Sequence, residues 1–349
     1  MDPRSLAVPI VQAPLSGGPS TPRLAAAVLG AGGLGFLATG YKTADAVAKD
    51  VAELRSLTDA PFGVNLFAAS ATPADTEGVR SYATSLRGEA ERYGVRMGQP
   101  RHDDDGFNEK LDLLVSERVA LVSFTFGCPH ADVFTRLRDA GIGAWVTVTS
   151  VAEAALARTA GADALVVQGF EAGGHRGYFV DGAEAEEIGL LSLLRLIAAR
   201  VPLPLVASGG IADGAALAAV LSAGAAAAQI GTAFMLTPEA GTGDVQRAAL
   251  RGGGRTALTR AFTGRRARGI VNRFMAEHEA DAPVAYPDVH HLTAPIRAAA
   301  RAAGDPGAIN LWAGQTHVLA REEPAAEVVA RLVREAREAA AAAAGRLGP

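Results

Sequence analysis

The 349-residue chain has one cysteine, Cys128. An intrachain disulfide is therefore excluded, and so is a zinc site built on thiolates. It has no surplus of basic charge: 33 Lys and Arg stand against 37 Asp and Glu, a formal net charge of −4. Nucleic-acid binding would need a concentrated basic face, which this balance does not supply. The start, MDPRSLAVPIVQAP, lacks the apolar run of a secretory signal. The long uncharged stretch from Gly214 to Pro238 could span a bilayer by length. It is mostly alanine and is interrupted by Gly224, Gln229, Gly231 and Thr232, so it reads as a buried helix, a turn and a buried strand. The expected compartment is the cytoplasm, with no membrane partner. No G-x-G-x-x-G follows the first strand at a helix start, as a dinucleotide-binding fold would need. The near match at Gly30, Gly32 and Gly35 precedes or overlaps the second strand.

What the chain does have is apolar mass and glycine. Hydrophobic residues are 49% and there are 40 glycines. Several alanine-rich helical stretches end in Gly and run straight into an apolar strand, as in LGAGGLGFLA (29–38), DAGIGAWVTV (139–148), TAGADALVVQG (159–169) and SAGAAAAQIG (222–231). Glycine closes a helix in the left-handed conformation. The strands do not alternate with polar residues, which is the mark of a parallel sheet covered on both faces. Strands are expected near 8–13, 34–38, 62–66, 119–124, 143–148, 163–168, 203–207 and 226–230. Helices are expected near 20–29, 43–57, 107–117, 130–140, 150–160, 189–199 and 212–223. Eight such units predict an α/β fold of the (β/α)8 TIM-barrel type, with an open doubly wound sheet as the competitor. The barrel is assigned to residues 1–235 plus a C-terminal helix at 324–345. Residues 67–106, with Asp103, Asp104 and Asp105, read as a solvated insertion. Residues 240–320 carry the basic run Arg265, Arg266, Arg268 and read as a small, mostly helical subdomain over the barrel mouth.

In a barrel the chemistry lies at the C-terminal strand ends. Those ends here are polar, glycine-rich and almost free of carboxylates. Ser208-Gly209-Gly210 and Gln229-Ile230-Gly231-Thr232 occupy the two slots that commonly hold a phosphate, whether of a sugar, a nucleotide or FMN. Tight turns are the plainer alternative. Asn65, Gln168 and Gln229 are neutral amides that suit the polar edge of a heterocycle, or else satisfy backbone groups at the rim. His175 sits in a glycine-rich loop with Arg176 beside it and is the best-placed proton acceptor. Glu171 is either catalytic or ion-paired. His290-His291 lacks the spacing and carboxylates of a metal site, and no metal is expected. Cys128 lacks an orienting third group for nucleophilic work.

Taken together, the segments PIVQAPLSGGPSTP (9–22), PFGVNLF (61–67), VSFTFGCP (122–129), QGFEAGGHRG (168–177), VASGGIADG (206–214) and QIGTAF (229–234) resemble the nitronate monooxygenase family, formerly called 2-nitropropane dioxygenases, and within it the bacterial class I type. Leu15 stands where that family usually has Met. The resemblance implies an FMN-dependent (β/α)8 barrel enzyme that oxidises alkyl nitronates with O2 to a carbonyl compound and nitrite, propionate 3-nitronate being a candidate substrate. It implies a catalytic His175. It implies FMN contacts from Ala13, Pro14, Leu15, Asn65, Gln168, Gly173, Gly174, Ser208, Gly209, Gly210, Gln229, Ile230, Gly231 and Thr232. Substrate contacts are expected from Phe126, Arg176, Trp312 and Gln315, the last two from a region that matches the family less clearly. FMN-dependent enoyl-ACP reductases, which use NAD(P)H, carry a loop similar to QGFEAGGHRG and are the first alternative. A non-redox phosphate-binding barrel is the second, though the strand ends offer no lysine or paired carboxylates for such chemistry. The oligomeric state is left open.

Overall fold

Apolar strands without polar alternation pair in parallel, and here they close on themselves. In a computed structural model, which describes residues 1–68, 72, 74–182 and 186–347, eight strands form one parallel sheet. Seven of its pairings run between neighbouring strands. The strands are β1 (Ile10–Gln12), β2 (Phe36–Ala38), β3 (Gly63–Phe67), β4 (Leu121–Thr125), β5 (Gly143–Val148), β6 (Ala164–Gln168), β8 (Leu205–Ser208) and β9 (Ala227–Ile230), each inside or within two residues of its expected range. A bridge between Val11 and Leu34 joins the two edges, with Gln12 N–H donating to the Leu34 carbonyl at 2.9 Å. The fold is therefore a (β/α)8 barrel.

The helices of the wall are α1 (Pro22–Gly30), α2 (Ala44–Leu57), α5 (Phe107–Ser116), α6 (Ala131–Asp139), α7 (Val151–Ala160), α8 (Leu190–Ala198) and α9 (Gly214–Ser222). Thr21, Thr43, Ser150 and Asp213 cap α1, α2, α7 and α9 through side-chain oxygens. The last helix, α13 (Ala325–Leu347), packs outside against α1 and α9. At the barrel floor the Trp145 indole N–H donates to the Met1 carbonyl at 3.1 Å. Among the described residues no helix is long and apolar enough to cross a membrane.

A second core lies apart from the barrel core. It draws Val79, Tyr82, Leu86 and Ala90 from α3 (Thr76–Ser85) and α4 (Arg87–Arg92) and the turn between them. It draws Phe262, Phe274, Val289, Leu292 and Ile296 from the region of α10 (Asp244–Gly252), α11 (Arg273–His278) and α12 (Asp288–Ala302). The 67–106 segment is thus more than a solvated insertion. Its polar composition concealed an amphipathic helix whose buried stripe recurs at 79, 82 and 86. The region is also less purely helical than expected. Strands β10 (Thr256–Thr259) and β11 (Ala267–Ile270) form an antiparallel pair, and β11 pairs in turn with β7 (Gly174–His175). That last pairing, His175 opposite Ala267, ties the histidine loop of the barrel to the second core.

Candidate active site

The loops at the C-terminal rim come together as a glycine-lined cradle. Gly209 and Gly210 follow β8 with φ of +114° and +68°, a region that suits glycine. A Cβ on Gly210 would stand 2.9 Å from the Cβ of Glu171. A Cβ on Gly231 would reach 3.2 Å from Leu15 Cδ2 and 3.5 Å from Ala13 Cβ, so the first and last strands present their loops side by side. Gly173 lies against the backbone of Ala313 and Gly314, with no room for a Cβ. Thr232 does not cap a helix by its side chain; it begins a three-residue 3-10 turn. Its hydroxyl accepts from the Gly314 N–H at 3.1 Å, which leaves its own hydrogen for another partner. The Ala13–Leu15 loop is fixed from behind by Gln12, whose amide accepts from Phe36 N–H at 3.0 Å and donates to Ser20 Oγ at 2.9 Å.

His175 stands on the same rim. Its ring meets Phe126 and Tyr286 at 5.6 Å each and Trp312 at 5.4 Å. Nε2 lies 3.0 Å from the Thr263 hydroxyl, which donates to the Arg265 carbonyl at 3.2 Å. With that hydrogen spent, the hydroxyl accepts from Nε2–H, and Nδ1 keeps the lone pair. Burial, and secondarily the charges of Arg265 and Arg297, hold the imidazole pKa down at about 3. The ring is neutral at any working pH.

Phe126 adopts φ +80° at the end of β4, a conformation that costs a residue with a Cβ about 1–3 kcal/mol. The turn projects its ring against His175, Tyr286 and, at 4.5 Å, Phe67. Behind Phe126 the Arg265 guanidinium sits 4.2 Å from the ring centroid, and Arg265 Nε donates to the Arg176 carbonyl at 3.1 Å. Arg297 bonds to Thr293 Oγ1 at 3.0 Å, to the His290 carbonyl at 2.8 Å and to Asn310 Oδ1 at 3.4 Å. These partners are neutral, although Arg297 is only 7% exposed, and burial lowers its pKa to about 10. Burial raises the Tyr41 phenol to about 12 and holds the Tyr286 phenol well above its ordinary value, so both keep their hydrogens. Two buried guanidinium groups, neutral rings and hydroxyls make a pocket whose field favours an anion.

The other expected residues fall into two groups. Asn65, Gln168 and Gln229 all reach the rim, but two of them brace it. Asn65 Nδ2 donates to Ser123 Oγ at 2.9 Å and Thr125 Oγ1 at 3.0 Å. Gln168 donates to the His175 carbonyl at 3.0 Å and accepts from Gly177 N–H at 2.8 Å. Arg176 is fully buried, bonds to the carbonyls of Gly169 and Gln168, and lies over the Tyr178 ring at 5.1 Å. It supports the loop rather than lining the pocket with its neighbour. Trp312 touches His175, whereas Gln315 is exposed and meets the site only through its N–H, which donates to the Glu171 carbonyl at 3.0 Å. Glu171 makes no ion pair among the described residues: its carboxylate accepts from Leu190 N–H at the start of α8. Burial pushes the Cys128 thiol up to about 11, far from a thiolate.

Sequence reasoning missed Tyr41, Thr263, Arg265, Tyr286 and Arg297. Tyr41 was findable, because Thr39-Gly40-Tyr41 follows the second strand. The basic run around Arg265 was noted without a role, and Thr263 and Arg297 carry no local signal.

The family model described as nitronate monooxygenase matches residues 4–335. Nitronate monooxygenase of Pseudomonas aeruginosa is 44% identical over 338 residues, 94% of this chain and 96% of the relative. The one from Paraburkholderia phytofirmans is 42% identical over 341 residues, 95% and 92% respectively. The crystal structure of nitroalkane oxidase from Streptomyces ansochromogenes is similar with a TM-score of 0.95 and 50% identity, covering 98% of this chain and 99% of that one.

Proposed function

The chain belongs to the nitronate monooxygenase family, and from that premise we propose that it uses FMN and O2 to convert alkyl nitronates to a carbonyl compound and nitrite. The observation that carries this reading is the neutral His175 set beside the buried Arg265 and Arg297, whose charges both act on its ring. Such a pocket takes up a compact anion with delocalised charge, as a nitronate is. A second anionic group on the substrate, as in propionate 3-nitronate, suits the presence of two guanidinium groups rather than one.

The cradle fits a phosphate-bearing planar cofactor. Gly209, Gly210, Gly231 and Thr232 would hold the phosphate, with Ser208 and Ile230 as neighbours. The backbone of Ala13, Pro14 and Leu15, the loop Gly173-Gly174, Gln229 and the braced amides Asn65 and Gln168 would border the ring. When bound, FMN supplies the electron acceptor that the side chains lack. The protein's own work is positioning. Arg265 and Arg297 draw in the anion, and Phe126 and Trp312 exclude water around it. With a neutral nitroalkane, His175 Nδ1 takes the α-proton. Thr263 holds that tautomer through Nε2.

The test is an absorbance spectrum of the purified protein, then anaerobic addition of ethylnitronate, then a nitrite assay in air. Expected are flavin bands, their change on adding nitronate without any reduced nicotinamide, and nitrite. Colourless protein, or no nitrite, would refute the reading. Rapid bleaching by NADPH alone would favour an enoyl reductase instead. His175→Asn should keep the flavin and lose about 100-fold or more in turnover.

A further inference from the structure

Three residues that carry a Cβ adopt the left-handed conformation around the pocket: Tyr41 at φ +68°, Asp105 at +58° and Phe126 at +80°. Strain of this kind persists where surrounding contacts over-determine it. Phe126 belongs to the inner wall. Tyr41 and Asp105 are bonded to each other. The Asp105 carboxylate accepts from Tyr41 N–H at 2.8 Å with one oxygen and from Lys110 Nζ at 2.6 Å with the other. Lys110 is 1% exposed and also donates to the Thr39 carbonyl at 3.1 Å. The pair anchors residues 39–41 to helix α5 from two sides.

The anchored ring completes a circuit. Phe67 meets Phe126 at 4.5 Å, Phe126 meets His175 at 5.6 Å, and His175 meets Tyr286 at 5.6 Å. Tyr286 donates its hydroxyl to that of Tyr41 at 3.2 Å, and Tyr41 returns to Phe67 at 5.6 Å, edge to face. The Tyr41 ring also stacks on His290 of α12 at 4.1 Å, within 3° of parallel. It therefore spans from the barrel to the second core. At 38% exposed it is the outermost member of the circuit.

We propose that Asp105 is a positioning residue, its carboxylate fixing Tyr41 as the outer closure of the pocket, and that this closure limits the size of the substituent a nitronate can carry. The proposal rests on the nitronate reading above. Asp105 touches no reacting atom on this account; it acts only through Tyr41.

Glycine substitutions test it cleanly, because glycine adopts the left-handed backbone of both positions without strain. Asp105→Gly and Tyr41→Gly should shift the ratio of KM for ethylnitronate to KM for the nitronate of 1-nitrohexane by the same factor, about fivefold towards the longer chain. The double variant should match Tyr41→Gly alone. Asp105→Asn combined with Lys110→Met keeps an acceptor for Tyr41 N–H without a buried charge, and should restore the wild-type ratio. A second readout needs no turnover. Trp145 is fully buried and Trp312 lies in the pocket wall, so acrylamide quenching of tryptophan fluorescence reports access to the pocket. Both glycine variants should raise the quenching constant about twofold, and equally. If either measure stays at its wild-type value in Tyr41→Gly, the closure is refuted. If Asp105→Gly lowers the melting temperature alone, or fails to fold while the Asp105→Asn, Lys110→Met protein does not restore the ratio, the positioning role is refuted. Wild-type protein that yields no nitrite would refute the nitronate reading, while the quenching comparison would still judge the closure.

Discussion

Acid should destabilise this protein through His175, the histidine proposed above to act on substrate. His175 has an ordinary pKa near 6.5 in the unfolded chain and about 3 in the fold. A group depressed in this way gives up stability as pH falls through the unfolded value, because only the unfolded state takes up the proton. The loss levels off below the folded value. Relative to pH 8, linkage gives a cost from His175 of about 1 kcal/mol at pH 5.5 and about 3 kcal/mol at pH 4.5. Against a total stability of about 5–15 kcal/mol that is a large fraction. The assay is urea unfolding at several pH values for wild type and for His175→Asn, whose amide does not titrate. The stability gap between the two proteins should change by these amounts as pH falls. Over pH 6 to 8, kcat/KM for a preformed nitronate should show no limb from His175 ionisation. Stability curves that run parallel, or a histidine limb near pH 6.5, would show that the imidazole is not desolvated as described.

Arg297→Met should raise KM for nitronates by about tenfold or more and also lower the melting temperature, since it removes a charge near His175 and leaves the Thr293, His290 and Asn310 acceptors unpaired; steady-state kinetics and a melting curve separate the two effects. Thr263→Val should spare flavin content yet lower kcat/KM for a neutral nitroalkane by about tenfold, more than for its nitronate, because only the former needs a proton removed at the Nδ1 that Thr263 keeps free. Gly231→Val should abolish flavin retention on gel filtration while far-ultraviolet dichroism stays intact, as its side chain would project toward Leu15 and Ala13 at the cradle. Arg176→Met should cost stability rather than substrate affinity, because its guanidinium bonds to the carbonyls of Gly169 and Gln168; an increased KM with an unchanged melting temperature would contradict this.

The barrel was legible because its signals are local. Uninterrupted apolar runs after glycine-closed helices mark strands buried on both faces, and that pattern placed all eight near where they lie. The glycine cradle was legible for the same reason: Ser208-Gly209-Gly210 and Gly231-Thr232 announce backbone geometry whatever surrounds them. The charge of the pocket was not. An arginine looks the same in sequence whether it meets water, a carbonyl or an anion, and Arg265 and Arg297 reach His175 only because β11 pairs with the histidine loop and α12 packs beside it. The side on which Arg176 lies was settled by pleating. Side chains alternate across a strand, so once His175 on β7 faces the pocket, Arg176 turns to the opposite side. Periodicity along the chain thus determined the elements and the loops that follow them, while the sign of the field around the histidine was decided by contacts between segments about 90 to 120 residues apart, which no local pattern encodes.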